Sequence, residues 1–486
     1  MSAEPTTSQT PWRAFAFVLA AGFMTLLDVS IVNVALPSIE SGLGAGASEI
    51  QWIVAGYSLA FGLVLVPAGR IGDLVGRRTM FTIGLTGFVL ASLACGLAVD
   101  SRTLVITRVV QGVFAGILNP QVAALIQQLF QGPARARAFG YFGMTVGVST
   151  AIGPTLGGFL VSALGPEHGW RSVFLINVPI GMVVIPLAWR NLRGVDQGHR
   201  ERPHEGGLGL DAVGLGLIAV IVLALMWPFI SSSDNPDGLA GSPWWLLAVA
   251  AAFLVVLVLW ERAQDGRGRP AVLPGILVRN KGFVLGAALG SAYFAGFTGI
   301  FINATLYFQQ GAGLPAWQAG LAQVPFAVFS AVSAARSGNW VNKVGRRVVI
   351  LGLSTMLVAI LAIMVVASLF ADRHWTVWVV SALLGLAGAG SGLVISPNQA
   401  LSLADVPGHV AGTASGLLQT LQRLGATVGL ALMTAVFFMV VGTAPNGDLS
   451  SHAHALVASM GVTVALLGIA LAIGVVDSRR RLAPKR

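Results

Sequence analysis

The sequence predicts an all-α membrane protein of fourteen transmembrane helices, built as two six-helix bundles with two extra helices between them. Three observations predict it. The first is composition: of 486 residues 55% are apolar and 10% charged, against about 25% charged in a soluble chain. Mean hydropathy is +0.80. This excludes a soluble enzyme, a disordered chain and a secreted disulfide scaffold. The second is run length, since a membrane crossing needs about 20 apolar residues. The third is charge: Lys and Arg fall on alternate sides of the successive apolar runs, the signature of membrane orientation.

The elements follow in order. The first twelve residues are polar and lack a signal-peptide pattern, and the apolar run 15–36 is too long for a signal segment, so it reads as a retained anchor. Runs at 51–71, 79–98, 103–128, 138–163 and 173–189 complete an N-terminal bundle over 1–190. A polar cytoplasmic connector, 191–208, rich in Arg, His and Gly, leads to runs at 210–230 and 243–260, giving a middle segment over 191–282. Runs at 283–307, 317–336, 348–370, 376–398, 410–441 and 455–476 form a C-terminal bundle with a basic tail over 283–486.

With the N-terminus inside, 24 basic residues fall on inside segments and only Arg102, Arg171 and Arg373 outside, while Arg108 and Arg423 lie within spans. That asymmetry predicts cytoplasmic N- and C-termini. The net charge of +10 then marks topology and not a nucleic-acid partner. The excess of Arg over Lys suggests a GC-rich genome. The single cysteine, Cys95, excludes an intrachain disulfide.

A weak repeat supports the two-bundle division. "GRIGDLVGRR" at 69–78 recurs as "GNWVNKVGRR" at 338–347, each after the second helix of its bundle. Duplicated halves around a midplane site are a transporter architecture. Gly69, Gly72 and Gly76 permit close approach and a tight reversal. Asp73 suits a neighbouring helix N-terminus or an arginine. Asn342 replaces it in the second copy, so a charge contact there is expected to be weaker.

"LDVSIVNVALP" at 27–37 holds Asp28, the only acid deep in an expected span. A carboxylate in hydrocarbon must be paired, hydrated or protonated. "LVITRVVQG" at 104–112 holds Arg108, Gln111 and Gly112. At 1.5 Å per residue, Asp28 lies about 20 Å from the inner edge and Arg108 about 8 Å from the outer edge, similar depths in a core of about 30 Å. A pair is geometrically allowed. The bland alternative is a permanent structural ion pair.

"GYFGMTVGVSTAIGPTLGG" at 140–158 and "WRSVFLINVPIG" at 170–181 complete the motif set. With these strings the chain resembles the major facilitator superfamily over essentially its whole length, and within it the fourteen-helix drug:proton antiporters. The resemblance implies a major facilitator fold and no enzymatic activity. It implies a proton-coupling role for Asp28 with Arg108 as modulator. It further implies a cytoplasmic latch of Gly69, Asp73, Gly76, Arg77 and Arg78, and a gating helix with Gly140, Gly153, Pro154, Gly157 and Gly158. Ser149 stands where the family usually has Gly, and Ser30 where it usually has Thr. The Gly-Pro-x-x-Gly-Gly string favours export.

Trp170 and Arg171 fit an interfacial anchor. Ser415, Gln419, Gln422 and Arg423 share one helical face. A second intramembrane arginine suits an aqueous cavity, a polar partner or an anionic substrate group. Candidate cavity residues are Asn33, Trp52, Tyr57, Gln111, Asn119, Asn177, Tyr293, Phe297, Asn303, Gln419 and Arg423, with Phe294, Gln323 and Asn398 beside them. Apolar and aromatic walls with few polar groups suit amphipathic organic molecules, although most such residues in membrane proteins pack or face lipid.

No GxxxxGK[ST] string and no HExxH or paired Cys/His cluster occurs in the sequence. The expected function is therefore proton-coupled efflux of amphipathic drugs, antibiotics or metabolites across a bacterial cytoplasmic membrane. Its partners are a small-molecule substrate, protons and the lipid bilayer. No cofactor is expected beyond the proton gradient, and the resemblance implies a monomer. A uniporter or importer, which needs no titrating acid, and a non-transporting sensor remain as alternatives.

Overall fold

The computed structural model describes residues 10–193, 211–231, 241–266, 275–442, 445 and 448–482. Most of the expected connector 191–208 and the end of the basic tail lie outside the described residues. Six helices come first: α1 (Thr10–Leu43), α2 (Ala47–Val75), α3 (Arg77–Gly96), α4 (Ser101–Leu129), α5 (Gly132–Leu175) and α6 (Asn177–Asn191). Then follow α7 (Ala212–Ser231), α8 (Trp245–Gly266) and the short α9 (Gly275–Arg279). The remainder are α10 (Lys281–Leu306), α11 (Ala316–Leu321), α12 (Val324–Val344), α13 (Arg347–Leu369), α14 (Thr376–Gly392), α15 (Ile395–Ser402), α16 (Ala411–Val441) and α17 (Leu449–Leu482).

Among the described residues, twelve helical stretches are long and apolar enough to cross a membrane. Two further apolar stretches, Thr155–Gly165 and Ala212–Pro228, are shorter than a full crossing. They overlap the expected spans 138–163 and 210–230. The helix α5 is broken at Gly165, whose φ of 76° and ψ of 170° turn the chain. A left-handed φ of this kind is available to glycine at little cost.

The pairing of helices repeats. In the first half α1 packs on α5, α2 on α4, and α3 on α4 and α6. In the second half α10 packs on α16, α12 on α14, and α13 on α14 and α17. The second set repeats the first one bundle later, beyond the middle helices, with α14 and α15 together as one crossing. The weak repeat at 69–78 and 338–347 is therefore one visible trace of a duplicated bundle. Helix α7 packs on α2 and on α16, so it touches both halves, whereas α8 packs on α7. Side chains such as Leu90, Phe159, Val255 and Leu259 remain exposed on the outer surface. A soluble protein rarely shows so much apolar surface, and a bilayer covers it.

Loop chemistry sets the helix ends. Gly76 (φ 114°) and Gly345 (φ 58°) make the reversals between α2 and α3 and between α12 and α13. Asp100 caps α4 by accepting the Thr103 N–H at 2.7 Å, and that bond holds its carboxyl below the usual carboxylate range.

Candidate functional site

Asp28 lies on α1, fully buried, at the centre of a polar cluster inside the first half. Arg108 Nη1 on α4 donates to Asp28 Oδ2 at 2.7 Å. Gln111 Nε2, one turn further, donates to Asp28 Oδ1 at 2.9 Å, and Asn177 Nδ2 on α6 reaches the same oxygen at 3.3 Å. Ser92 Oγ on α3 accepts from Gln111 at 3.1 Å and from Asn177 at 2.9 Å, and donates to the Phe174 carbonyl. Arg108 also donates to Gln111 Oε1 at 2.7 Å and to the Ile53 carbonyl of α2 at 3.1 Å. Its guanidinium carbon lies 4.2 Å from the centre of the Tyr57 ring.

Small residues make this geometry possible. A Cβ on Gly112 would meet the Tyr57 carbonyl, and one on Gly56 would meet Val109. The glycines thus let α2 and α4 close until Arg108 reaches the Ile53 carbonyl. Gln111 and Asn177, expected against substrate, are instead direct partners of the Asp28 carboxylate. The estimate of similar depth from helix rise agrees with the observed contact of Asp28 and Arg108.

The two halves meet along α2 with α16, α4 with α16, and α5 with α12 and α15. At the Arg-rich end Asp73 is the central contact. Its Oδ1 accepts from the Gly412 N–H at 2.9 Å, and its Oδ2 from the Thr413 N–H at 2.7 Å and Thr413 Oγ1 at 2.9 Å. This is a carboxylate on a helix N-terminus, where free N–H groups and the helix dipole favour negative charge. Arg77 holds the other side of Asp73 Oδ1 at 3.0 Å, bonds the Ala124 carbonyl at 3.1 Å, and reaches the Gly408 carbonyl of the second half. Asp73 therefore has both partners named as suitable from sequence. Gly69 and Gly412 face each other, and a Cβ on either would strike the other's carbonyl oxygen. Arg78 stacks on Trp189 at 3.8 Å and bonds that residue's carbonyl, within the first half.

The repeat-related contact is thinner. Asn342 Nδ2 donates to the Pro133 carbonyl at 3.3 Å, near the start of α5. Arg135 Nη2 adds a bond to the Ala404 carbonyl at 3.4 Å. Nothing here matches the three-donor grip on Asp73.

Along α5, Gly140 and Gly147 face α12, where Cβ atoms would meet the Ala334 carbonyl and the Ala331 backbone. Gly153 and Gly157 face α1 at Ser30 and Ile31, and Gly158 approaches Val34. The motif thus lets α5 approach α1 with one set of glycines and the opposite half with another. The side chains of Pro154 and Asn33 lie outside the described residues.

The remaining candidates divide. Asn119 and Gln419 meet between halves, with Gln419 Nε2 donating to the Asn119 carbonyl at 3.4 Å. Arg423 stacks on Phe61 of α2 at 4.3 Å. Trp52 packs on Trp227 of α7 at 5.7 Å. Tyr293 bonds Ser391 at 2.7 Å and stacks on Phe297 within an aromatic group that includes Phe294, Phe301 and Phe326. Asn303 bonds the Met433 carbonyl within the second half, and Gln323 bonds Thr305. Trp170, expected as an interfacial anchor, is 1% exposed and packs with Phe174. Its neighbour Arg171 turns inward to the carbonyls of Gly96 and Ala98 at the end of α3.

Two groups escaped the sequence. Ser92 is one, because a serine in an apolar run carries no signal. The other is Asp477 on α17, which bonds Arg346 at 2.6 Å, with Asn398 accepting from Arg346 at 2.6 Å. Arg346 is the repeat counterpart of Arg77, and that offset was the available signal. A cavity of about 620 Å³ opens between α10, α16 and α17, lined by apolar side chains such as Val284, Leu421 and Ile473. Neither Asp28 nor Arg423 lines it.

The family model described as Major Facilitator Superfamily matches residues 18–430. The chain is 35% identical over 469 residues to a protein of Streptomyces coelicolor named "Probable actinorhodin transporter", covering 95% of this chain and 79% of that one. It is 31% identical over 488 residues to the puromycin resistance protein pur8 of Streptomyces alboniger, covering 97% and 92%. Among solved structures it resembles the proton:xylose symporter XylE with a TM-score of 0.66 and 15% identity, covering 98% of this chain and 96% of that one. At that identity the likeness speaks for the fold alone.

Proposed function

The chain belongs to the Major Facilitator Superfamily, and from that premise we propose that it exports amphipathic drugs, antibiotics or metabolites by alternating access, driven by inward proton movement. The observation that carries the proton part is the sealed carboxylate of Asp28, held by Arg108, Gln111 and Asn177. The relatives named for antibiotic transport and resistance support the direction and the cargo class.

The proposed topology is fourteen spans, counting the first part of α5 and helix α7 as crossings, with both termini and the Arg-rich loops cytoplasmic. The site is a bacterial cytoplasmic membrane, the working unit a monomer, and the energy source the proton gradient with no cofactor. In this reading the Asp73 latch closes the cytoplasmic side. A proton from outside neutralises Asp28, and the attraction to Arg108 is lost. Helices α1 and α4 then shift, and the halves rock apart at Gly69 and Gly412. Substrate enters from the cytoplasm, and the proton leaves Asp28 to that side.

Everted vesicles with an imposed proton gradient test the reading. Adding an amphipathic dye to energised vesicles should dissipate the gradient as dye accumulates. Dye accumulation with no proton movement would contradict the coupling and leave a uniporter.

A further inference from the structure

Arg423 is a permanent cation about 16 Å along α16 from the Gly412 contact, which is mid-membrane depth. It is half-buried. Among the described residues its guanidinium has no hydrogen bond and no carboxylate partner; the resolved ion pairs belong to Arg77, Arg108 and Arg346. Its one contact of note is the face of Phe61 at 4.3 Å. A cation–π contact orients the guanidinium but supplies no hydrogen-bond acceptor for its N–H donors.

A second observation lies beside it. Tyr57 is 1% exposed, and its hydroxyl has no hydrogen-bond partner. Its ring is stacked on Phe61 at 6.1 Å, the same ring that Arg423 covers. A buried hydroxyl without a partner is destabilising until an acceptor reaches it. Arg108, whose charge Asp28 already answers, lies over the Tyr57 ring at 4.2 Å. A cation lacking an anion and a donor lacking an acceptor thus sit together at the contact of the two halves.

We propose that Arg423 and Tyr57 form the recognition point for a carboxylate or phenolate on the substrate, so that the exported class is amphipathic acids. An oxyanion there accepts from the guanidinium and from the tyrosine hydroxyl. The apolar body lies along the aromatic and aliphatic walls between the halves. This rests on the export reading and narrows it, because a purely cationic drug would meet Arg423 as like charge.

The test uses a rhodamine with a free benzoate carboxylate and its methyl ester, which share ring system and size. Binding is measured by fluorescence anisotropy on the purified full chain, and gradient-driven movement in proteoliposomes. The expected wild-type result is a half-saturating concentration at least about tenfold lower for the acid, equivalent to about 1.4 kcal/mol. The acid-to-ester ratio should fall to near one in Arg423→Gln, persist in part in Arg423→Lys, and shrink severalfold in Tyr57→Phe. Equal binding of acid and ester, an unchanged ratio in Arg423→Gln, or binding of neither dye would overturn the anion site. Selective binding of the acid without gradient-driven movement would sink the proton-coupled reading and leave the anion site standing. Movement of both dyes without acid preference would do the reverse.

Discussion

Asp28 is fully buried, so the side chains around it must balance its charge. Removing Arg108 alone leaves a buried carboxylate with only amide donors, a change that costs about 3–5 kcal/mol. Arg108→Ala should therefore lower the thermal midpoint sharply. The double variant Asp28→Ala with Arg108→Ala should recover part of the loss, because no orphan charge remains. A thermal-shift series on the four proteins reads this directly. Additive losses would mean the pair is not coupled.

The acids at the helix ends behave differently. Glu49 is held low first by the Ser101 hydroxyl, Asp100 by the Thr103 N–H, and Asp448 by the Ser451 hydroxyl. Each has a depressed folded-state value, so its stabilising contribution is present above the ordinary carboxylate value of about 4 and is lost only as pH falls through the lower one. None is suited to exchange protons near neutral pH. Asp100→Asn, which keeps a capping side chain, should leave the pH profile of export unchanged between about pH 6 and 8. A displaced profile would bring Asp100 into the proton path.

At the scale of elements, the two repeat-related contacts differ in strength. Asp73 grips the start of α16 through three donors and Arg77, whereas Asn342 offers one amide bond to α5. Losing a charge-assisted grip should shift the equilibrium between closed and open halves by about tenfold or more, and losing the neutral bond by severalfold at most. Spin labels introduced as Val75→Cys and His409→Cys, in a Cys95→Ser background, report the separation across this seam. Asp73→Asn should populate a longer distance and Asn342→Ala should barely change it. Equal shifts from the two would remove the asymmetry.

The elements were the legible part of the sequence. Spans announce themselves because some 20 apolar residues in a row serve few other purposes, and the Arg-rich turns stand out against them. Side-chain partnerships were less legible. Gln111 and Asn177 look the same in sequence whether they face a cavity or a carboxylate. Their partner Asp28 is 83 and 149 positions away. Asp477 and Arg346 are separated by 131, and only the repeat hints at that arginine's importance. Trp170 suits an interfacial anchor by residue type, yet its ring is buried against Phe174, while Arg171 turns inward to the end of α3.

For the whole molecule, two bundles of the same pairing pattern meet along glycine-lined seams, with α7 packed across one of them. Helix α7 touches α2 and α16 through Met226, Val222 and Ile218 in a shared apolar cluster. A rocking motion must slide at least one of those contacts. Met226→Trp, which adds bulk opposite Gly62, should slow export several-fold at unchanged substrate affinity. Full-rate export in that variant would mean that α7 rides with one half only.

In the proposed cycle the sealed Asp28 carboxylate couples protons to export. The most direct measurement is gradient-driven dye accumulation in everted vesicles carrying wild type or Asp28→Asn at matched expression. Wild type should accumulate dye in a way that collapses with the gradient, and Asp28→Asn, whose amide can still occupy the site but cannot cycle a proton, should not. Gradient-driven accumulation that survives in Asp28→Asn would contradict it.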